Sequence, residues 1–210
     1  MIVAFANFKG GSGKTTSAAF LAHALHEQGR RVLAVDADPL RVLAEWEGLS
    51  PEPWPFPVEE MPTESLHKDV PGLLGRRYDA VVIDTPGNVV QKGITRSAMR
   101  AATHIIIPIA PSRLEEMLLG DVVKLVNEAA GGRPDGAAPH VVLMLNRAVV
   151  NTNLLAVYQA HYPKYGLDVF PGVVTARQMF VASAGENVKD ASQTPYGDLA
   201  RYLINGGKQA

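Results

Sequence analysis

The stretch that most restricts this chain is FANFKGGSGKTTS, Phe5 to Ser17, directly after the apolar opening Met1-Ile2-Val3-Ala4. A β-branched and aromatic run, glycines at 10, 11 and 13, then Lys14-Thr15-Thr16 and a long Ala/Leu-rich segment read as strand, loop, helix. Glycines let successive backbone N–H groups turn inward with no Cβ in the way, and the following helix points its positive end at the same spot. Such a nest takes a polyphosphate. It also predicts the architecture: an α/β, single-domain P-loop fold with a mostly parallel central sheet and helices on both faces.

The common spacing of this loop, G-x-x-x-x-G-K-[ST], puts its first glycine at position 8, which is Phe8. The chain fits a different form, K-G-G-x-G-K-[ST], in which Lys9 opens the loop as a second lysine. Gly10, Gly11, Ser12 and Gly13 would cradle the phosphates of ATP, Lys14 would reach the β- and γ-phosphates, Thr15 would offer its hydroxyl to Mg²⁺, and Thr16 would support the α-phosphate. Lys9 begins outside this cradle. A glycine-rich turn with two surface lysines is the plainer alternative, and the matching flanks argue against it.

The 210 residues, 47% apolar, suffice for one well-filled α/β domain spanning 1–210 and are too few for two comfortable ones. A formal charge of −1 excludes a globally basic nucleic-acid protein but not a local basic patch. Without cysteine there is no disulfide, thiolate metal site or iron–sulfur cluster. Neither a signal peptide nor a spanning helix is expected, which predicts a cytoplasmic protein.

After a first helix that Gly29 ends, Val32 to Val35 is a buried-type strand leading to Asp36-Ala37-Asp38-Pro39, and either carboxylate could serve Mg²⁺ or the attacking water. A short helix is expected over Leu40 to Gly48, with Trp46 in the packing. Ser50 to Pro62 holds five prolines and reads as an exposed crossover, with at most an edge strand near Phe56 to Val58; its aromatics either cover the core or form a proline-rich docking motif. Thr63 to Arg77 is helical in pattern but broken by Pro71-Gly72. Val81-Val82-Ile83-Asp84 followed by Thr85-Pro86-Gly87 is how a strand delivers a carboxylate to a metal's water shell, so Asp84 is the Mg²⁺-side acid. Gly87 to Thr95 is then expected to sense the γ-phosphate.

A helix is expected over Ile94 to Ala102, a strand at Ile105 to Ile109, and a helix from Arg113 to the glycines at 131 and 132 whose Met/Leu stripe suits core or a dimer interface. The strand Val141 to Leu145 ends on Asn146, either a simple turn former or an amide for adenine's N6/N7 edge. A helix over Thr152 to His161, a weak strand at Asp168 to Val174, a helix from Thr175 to Ala184, a loop from Asn187 to Thr194 and a last helix over Pro195 to Asn205 complete the pattern. Tyr196, Leu199 and Leu203 share one face of that last helix, so it should dock on the body.

Taken together, KGGSGKTT (Lys9 to Thr16), VDADP (Val35 to Pro39), VVIDTPG (Val81 to Gly87), IPIAPS (Ile107 to Ser112) and VVTARQMF (Val173 to Phe180) resemble the ParA/MinD family of deviant Walker ATPases, and within it the short ParF-like plasmid partition ATPases. The resemblance runs from Ile2 to about Tyr202. It implies that Asp38 orients the hydrolytic water and that Asp36 and Asp84 hold the Mg²⁺ hydration shell. It also implies a homodimer sandwiching two ATP molecules, with Lys9 of each subunit, alongside Lys14, serving catalysis across the interface. Such relatives bind nonspecific DNA as the ATP dimer and answer to a centromere-binding or adaptor partner; Arg177, Lys189, Arg201 and Lys208 are the candidate DNA contacts, each equally readable as an ordinary solvated charge. The expected setting is nucleoid-associated, with no stable membrane anchor and no operator-binding extension. Two rivals stand: a switch that positions a protein complex or membrane-surface cargo, and a metabolic kinase or amidoligase on the same loop, against which Lys9 argues.

Overall fold

The computed structural model describes residues 1–133, 136–149, 153–176 and 183–207. Seven strands form one sheet: β1 (Ile2–Phe5), β2 (Val32–Asp36), β3 (Val58–Glu60), β4 (Ala80–Asp84), β5 (His104–Ile109), β6 (His140–Ala148) and β7 (Asp168–Thr175). They lie in the order β3-β2-β4-β1-β5-β6-β7, and every neighbouring pair is parallel. Each crossover therefore returns over a face of the sheet, carried by α1 (Lys14–Glu27), α2 (Val42–Leu49), α3 (Leu66–Asp69), α4 (Lys92–Ala101), α5 (Arg113–Gly131) or α6 (Asn153–His161), and α7 (Pro195–Ile204) follows the last strand.

Two cores result, one per face, and side-chain alternation sorts the strand residues between them. Val3, Phe5, Val32, Ala34, Ala80 and Val82 pack with α1 and with Tyr196, Leu199 and Leu203 of α7. Ile2, Ala4, Leu33, Val35, Val81 and Ile83 pack with α4, with α5 and with Tyr158 of α6. This is why the strands carry unbroken apolar runs: neither face meets water. The docking predicted for α7 is seen, reinforced by a 3.0 Å hydrogen bond between the hydroxyls of Tyr196 and Ser17.

Several boundaries shift from the expected ones. In the proline-rich crossover the edge strand is β3, Val58–Glu60, two residues later than expected, because Pro55 and Pro57 cannot donate to the ladder while Val58 onward can pair with Ala34 to Asp36. Trp54 and Phe56 turn inward and cover the core, packing edge-to-face on each other and on His23. The helix expected from Leu40 starts at Val42, since Asp38 and Arg41 close a turn after Pro39. Thr63 to Arg77 yields only the single turn α3 and a 3₁₀ turn at Val70–Leu73 around Pro71. Lys92 to Thr95, assigned to a phosphate-sensing loop, already belongs to α4. Thr175 closes β7, Ala176, Ser183 and Ala184 of the helix expected there are not helical, and its middle, 177–182, lies outside the described residues.

Candidate functional site

The site forms at the carboxyl ends of β1, β4 and β2, where the register sets Phe5 beside Asp84 and Asp84 beside Asp36. From Phe5 the chain passes through the loop to α1, with Gly11 at φ 72° and Gly13 at φ 89°, conformations a side chain would strain. Gly13 is also crowded: a Cβ there would come 2.4 Å from the Asn146 amide nitrogen. No side chain caps α1, so the N–H groups of its first turn are left to a ligand. The buried Ser12 hydroxyl likewise has no partner.

Lys14 is buried at the head of α1, its Nζ 3.4 Å from the Lys9 carbonyl, and burial lowers its pKa, an effect the carboxylates of Asp84 and Asp38 oppose. A cation held in so dry a place gains from an anion beside it. Gly87 crosses close by: a Cβ there would lie 3.0 Å from the Lys14 ammonium and 3.3 Å from Gly10 Cα, so a larger residue would press on the loop and on Lys14.

Asp84 is buried, and its Oδ2 accepts a 2.6 Å hydrogen bond from the Thr15 hydroxyl while Oδ1 has no partner. Burial, with Asp36 and Asp38 adding like charge, pushes its pKa up to about 7. The Asp36 carboxyl is raised by burial too, although its two oxygens accept 3.0 Å hydrogen bonds from the amides of Asp38 and Ala44. Asp38 lies just past the strand, partly exposed, and caps the Leu40 amide at 3.0 Å. An orphaned carboxylate oxygen beside a hydroxyl, with a second acid one strand away, fits a divalent cation. Among the described residues no three His, Asp or Glu side chains converge as a metal cage, so Mg²⁺ here would rest on Thr15, phosphate oxygens and water.

Sequence reasoning missed three residues. Asn7 orients the loop: its Oδ1 accepts from the Lys9 amide at 3.0 Å and its Nδ2 donates to the Pro108 carbonyl at 2.8 Å. Asn two places before a turn residue is an Asx-turn signal, and that much was legible. Glu115, on α5 and only 3% exposed, takes the Lys9 ammonium at 2.6 Å. Arg147, at φ 55°, donates to the Gly11 carbonyl at 2.6 Å. Asn146 is brought to the loop rather than standing clear of it, with Nδ2 donating to the Ser12 carbonyl at 2.9 Å and Oδ1 accepting from the Arg147 amide. Thr16 takes its place in the first turn of α1.

Of the cations considered for DNA, Arg177 and Lys208 lie outside the described residues, Arg201 is paired with Asp198 on α7, and Lys189 is exposed. No described helix is long and apolar enough to cross a membrane.

A model of the CobQ/CobB/MinD/ParA nucleotide binding domain matches residues 3–188. The chain is 28% identical over 192 residues to the maintenance of carboxysome distribution protein A of Halothiobacillus neapolitanus, covering 89% of this chain and 84% of that one. It is 30% identical over 177 residues to a Sinorhizobium fredii protein named as a replication protein A, covering 60% of this chain; it spans less than half of that relative, 43%. In structure it resembles a plasmid partition protein of Borrelia burgdorferi bound to AMPPNP, with a TM-score of 0.73, 18% identity and 98% of both chains covered.

Proposed function

The chain belongs to the CobQ/CobB/MinD/ParA nucleotide-binding domain family and has the fold of its ParA/MinD ATPases, and from that premise we propose that it is a Mg²⁺-dependent ATPase that segregates or positions a cargo. It cycles between an ATP-bound homodimer on nonspecific DNA and a monomer released by hydrolysis, with a partner protein setting the rate. Carrying this reading is the loop with two lysines: Lys14 already serves its floor from a buried position, while Lys9 stands on the more open rim, held there by Glu115. In the bound state the α1 amides and Lys14 would hold the phosphates, Thr15 would hold Mg²⁺ with Asp84 and Asp36 on its water shell, and Asp38 would orient the water that attacks the γ-phosphate. Mg²⁺, when bound, would supply neutralisation of phosphate charge. Lys9 meets the partner subunit's γ-phosphate, so association is rewarded only while that phosphate is present. Asn146 gives one amide hydrogen to the Ser12 carbonyl and one lone pair to the Arg147 amide, and keeps the others for adenine.

Positioning of a protein assembly rather than of DNA is the second reading, favoured by the likeness to the carboxysome distribution protein over most of both chains.

Light scattering with and without ATP and Mg²⁺ tests the proposal. Wild type should dimerise only with both. Lys14→Ala should lose ATP affinity roughly tenfold or more, the scale of a lost charge-assisted contact. Lys9→Ala should bind ATP and stay monomeric. An unchanged Lys9→Ala dimer, or one formed without ATP, overturns the cross-subunit role.

A further inference from the structure

The sheet edge opposite the phosphate loop carries a cationic surface that nucleotide chemistry does not use. After α1 the chain turns through Gly29, at φ 82°, into Arg30-Arg31 and β2; before β4 it turns through Gly75, at φ 79°, into Arg76-Arg77. Because β2 pairs with β4, Val32 beside Ala80, the two Gly-Arg-Arg turns stand side by side. Arg31 is clamped: its guanidinium meets Asp79 through two hydrogen bonds of 3.0 and 2.7 Å, and its amide donates to the same carboxylate. Arg30, Arg76 and Arg77 are exposed and form no direct ion pair among the described residues, although Arg30 stands near enough to Asp79 to help hold that carboxyl low. Arg30, Arg31 and Arg77 rim an open cavity of about 430 Å³ with Phe56 and Tyr78 in its lining.

Cations at this edge could simply offset the negative ends of helices. Arg100 and Arg133 do so, donating to the carbonyls of Gly132 and of Arg100 and Ala102. Among the described residues Arg30, Arg76 and Arg77 make no such bonds, so their charge is left facing solvent in a chain whose formal net charge is −1.

We propose that these paired arginine turns bind the phosphate backbone of nucleic acid, on the side of the molecule away from the nucleotide. The inference rests on the reading that the chain works on nonspecific DNA, and it names the face. Guanidinium forks match phosphate oxygens in geometry and charge. At an exposed rim they suit a mobile polyanion held through counterion release rather than one carboxylate held in a fixed, desolvated pose. DNA and ATP then bind on opposite edges without competing.

The test is the salt dependence of binding between the full chain, with ATP and Mg²⁺, and a fluorescein-labelled duplex of random sequence. Arg30→Gln/Arg77→Gln should weaken binding at least tenfold and lower the log–log salt slope by about two per bound subunit, one per lost phosphate contact. ATP affinity should not change, and unchanged melting would show that the fold is kept. Wild-type binding that the double variant leaves intact would overturn this inference and keep the DNA reading. No wild-type binding at all would remove that reading with it. Tight binding of polyglutamate but not DNA would show an acidic protein as the occupant and overturn the proposal.

Discussion

Lys9 spends its charge inside its own chain. Its ammonium lies 2.6 Å from Glu115 Oε1, and the other oxygen of that buried carboxylate has no partner. For Lys9 to reach another subunit it must give up its hydrogen bond to Glu115, whose charge Lys14 then still opposes, at a cost on the order of 1–3 kcal/mol. In the proposed dimer the pair would therefore set a threshold that a phosphate across the interface has to exceed. Glu115→Gln keeps the shape and removes the charge, so it should lower the protein concentration needed for ATP-dependent dimerisation by roughly three- to tenfold, a shift of about 1 kcal/mol. Light scattering across a concentration series reads it, and a midpoint that stays or rises would show that the pair does not restrain Lys9.

At the scale of elements, α1 joins the phosphate loop to the aromatic cover of the proline-rich crossover. His23 on α1 packs edge-to-face on Trp54 and Phe56, each with ring centroids 4.8 Å away, and burial pulls its pKa down from 6.5 to about 4. Glu27, on the same helix, pulls the other way and His26 adds to the lowering. The unfolded chain takes up this proton near pH 6.5 while the folded chain resists it until about 4, so stability is full above that window and declines as pH falls through it. Thermal melts should show an acid limb between these values, and His23→Phe, which keeps a ring in place, should flatten it. An equally steep limb in the variant would put the acid sensitivity on other groups, His104 on β5 first, whose pKa burial also lowers to about 4.

Across the whole molecule, the phosphate loop, Asp36, Asp38 and Asp84 gather on one edge of the sheet, so on the proposed reading hydrolysis and assembly would share one set of residues. Exposed Leu114 and Met117, both 73% accessible, stand on the same helix as Glu115, where the expected Met/Leu stripe divides between a buried and an open face. Asp38→Ala removes the carboxylate assigned to the attacking water without touching the phosphate nest. ATP turnover should fall about a hundredfold or more, the scale of a lost general base, while the ATP dimer persists. Turnover measured beside dimer lifetime checks this; unimpaired turnover would transfer the role to Asp36 or to the segment after β4.

Local chemistry made much of this protein legible from its residues. Glycines at 10, 11 and 13 before Lys14-Thr15 permit few backbone paths, continuous apolar runs ending in Asp36 and Asp84 belong to strands buried on both faces, and the face of α7 that docks is written in its periodicity. Register then brought Asp36 and Asp84 side by side, which no spacing along the chain states. The partners of the key groups were out of reach for the same reason: Glu115 meets Lys9 across 106 positions and Asn146 meets Ser12 across 134. The two Gly-Arg-Arg turns are plain in the sequence, but only the pairing of β2 with β4 makes them one surface. Sequence by itself determined the loop, the strands and the acids, because those depend on neighbours along the chain. Tertiary structure alone decided what each charge faces, because that depends on which strands lie together.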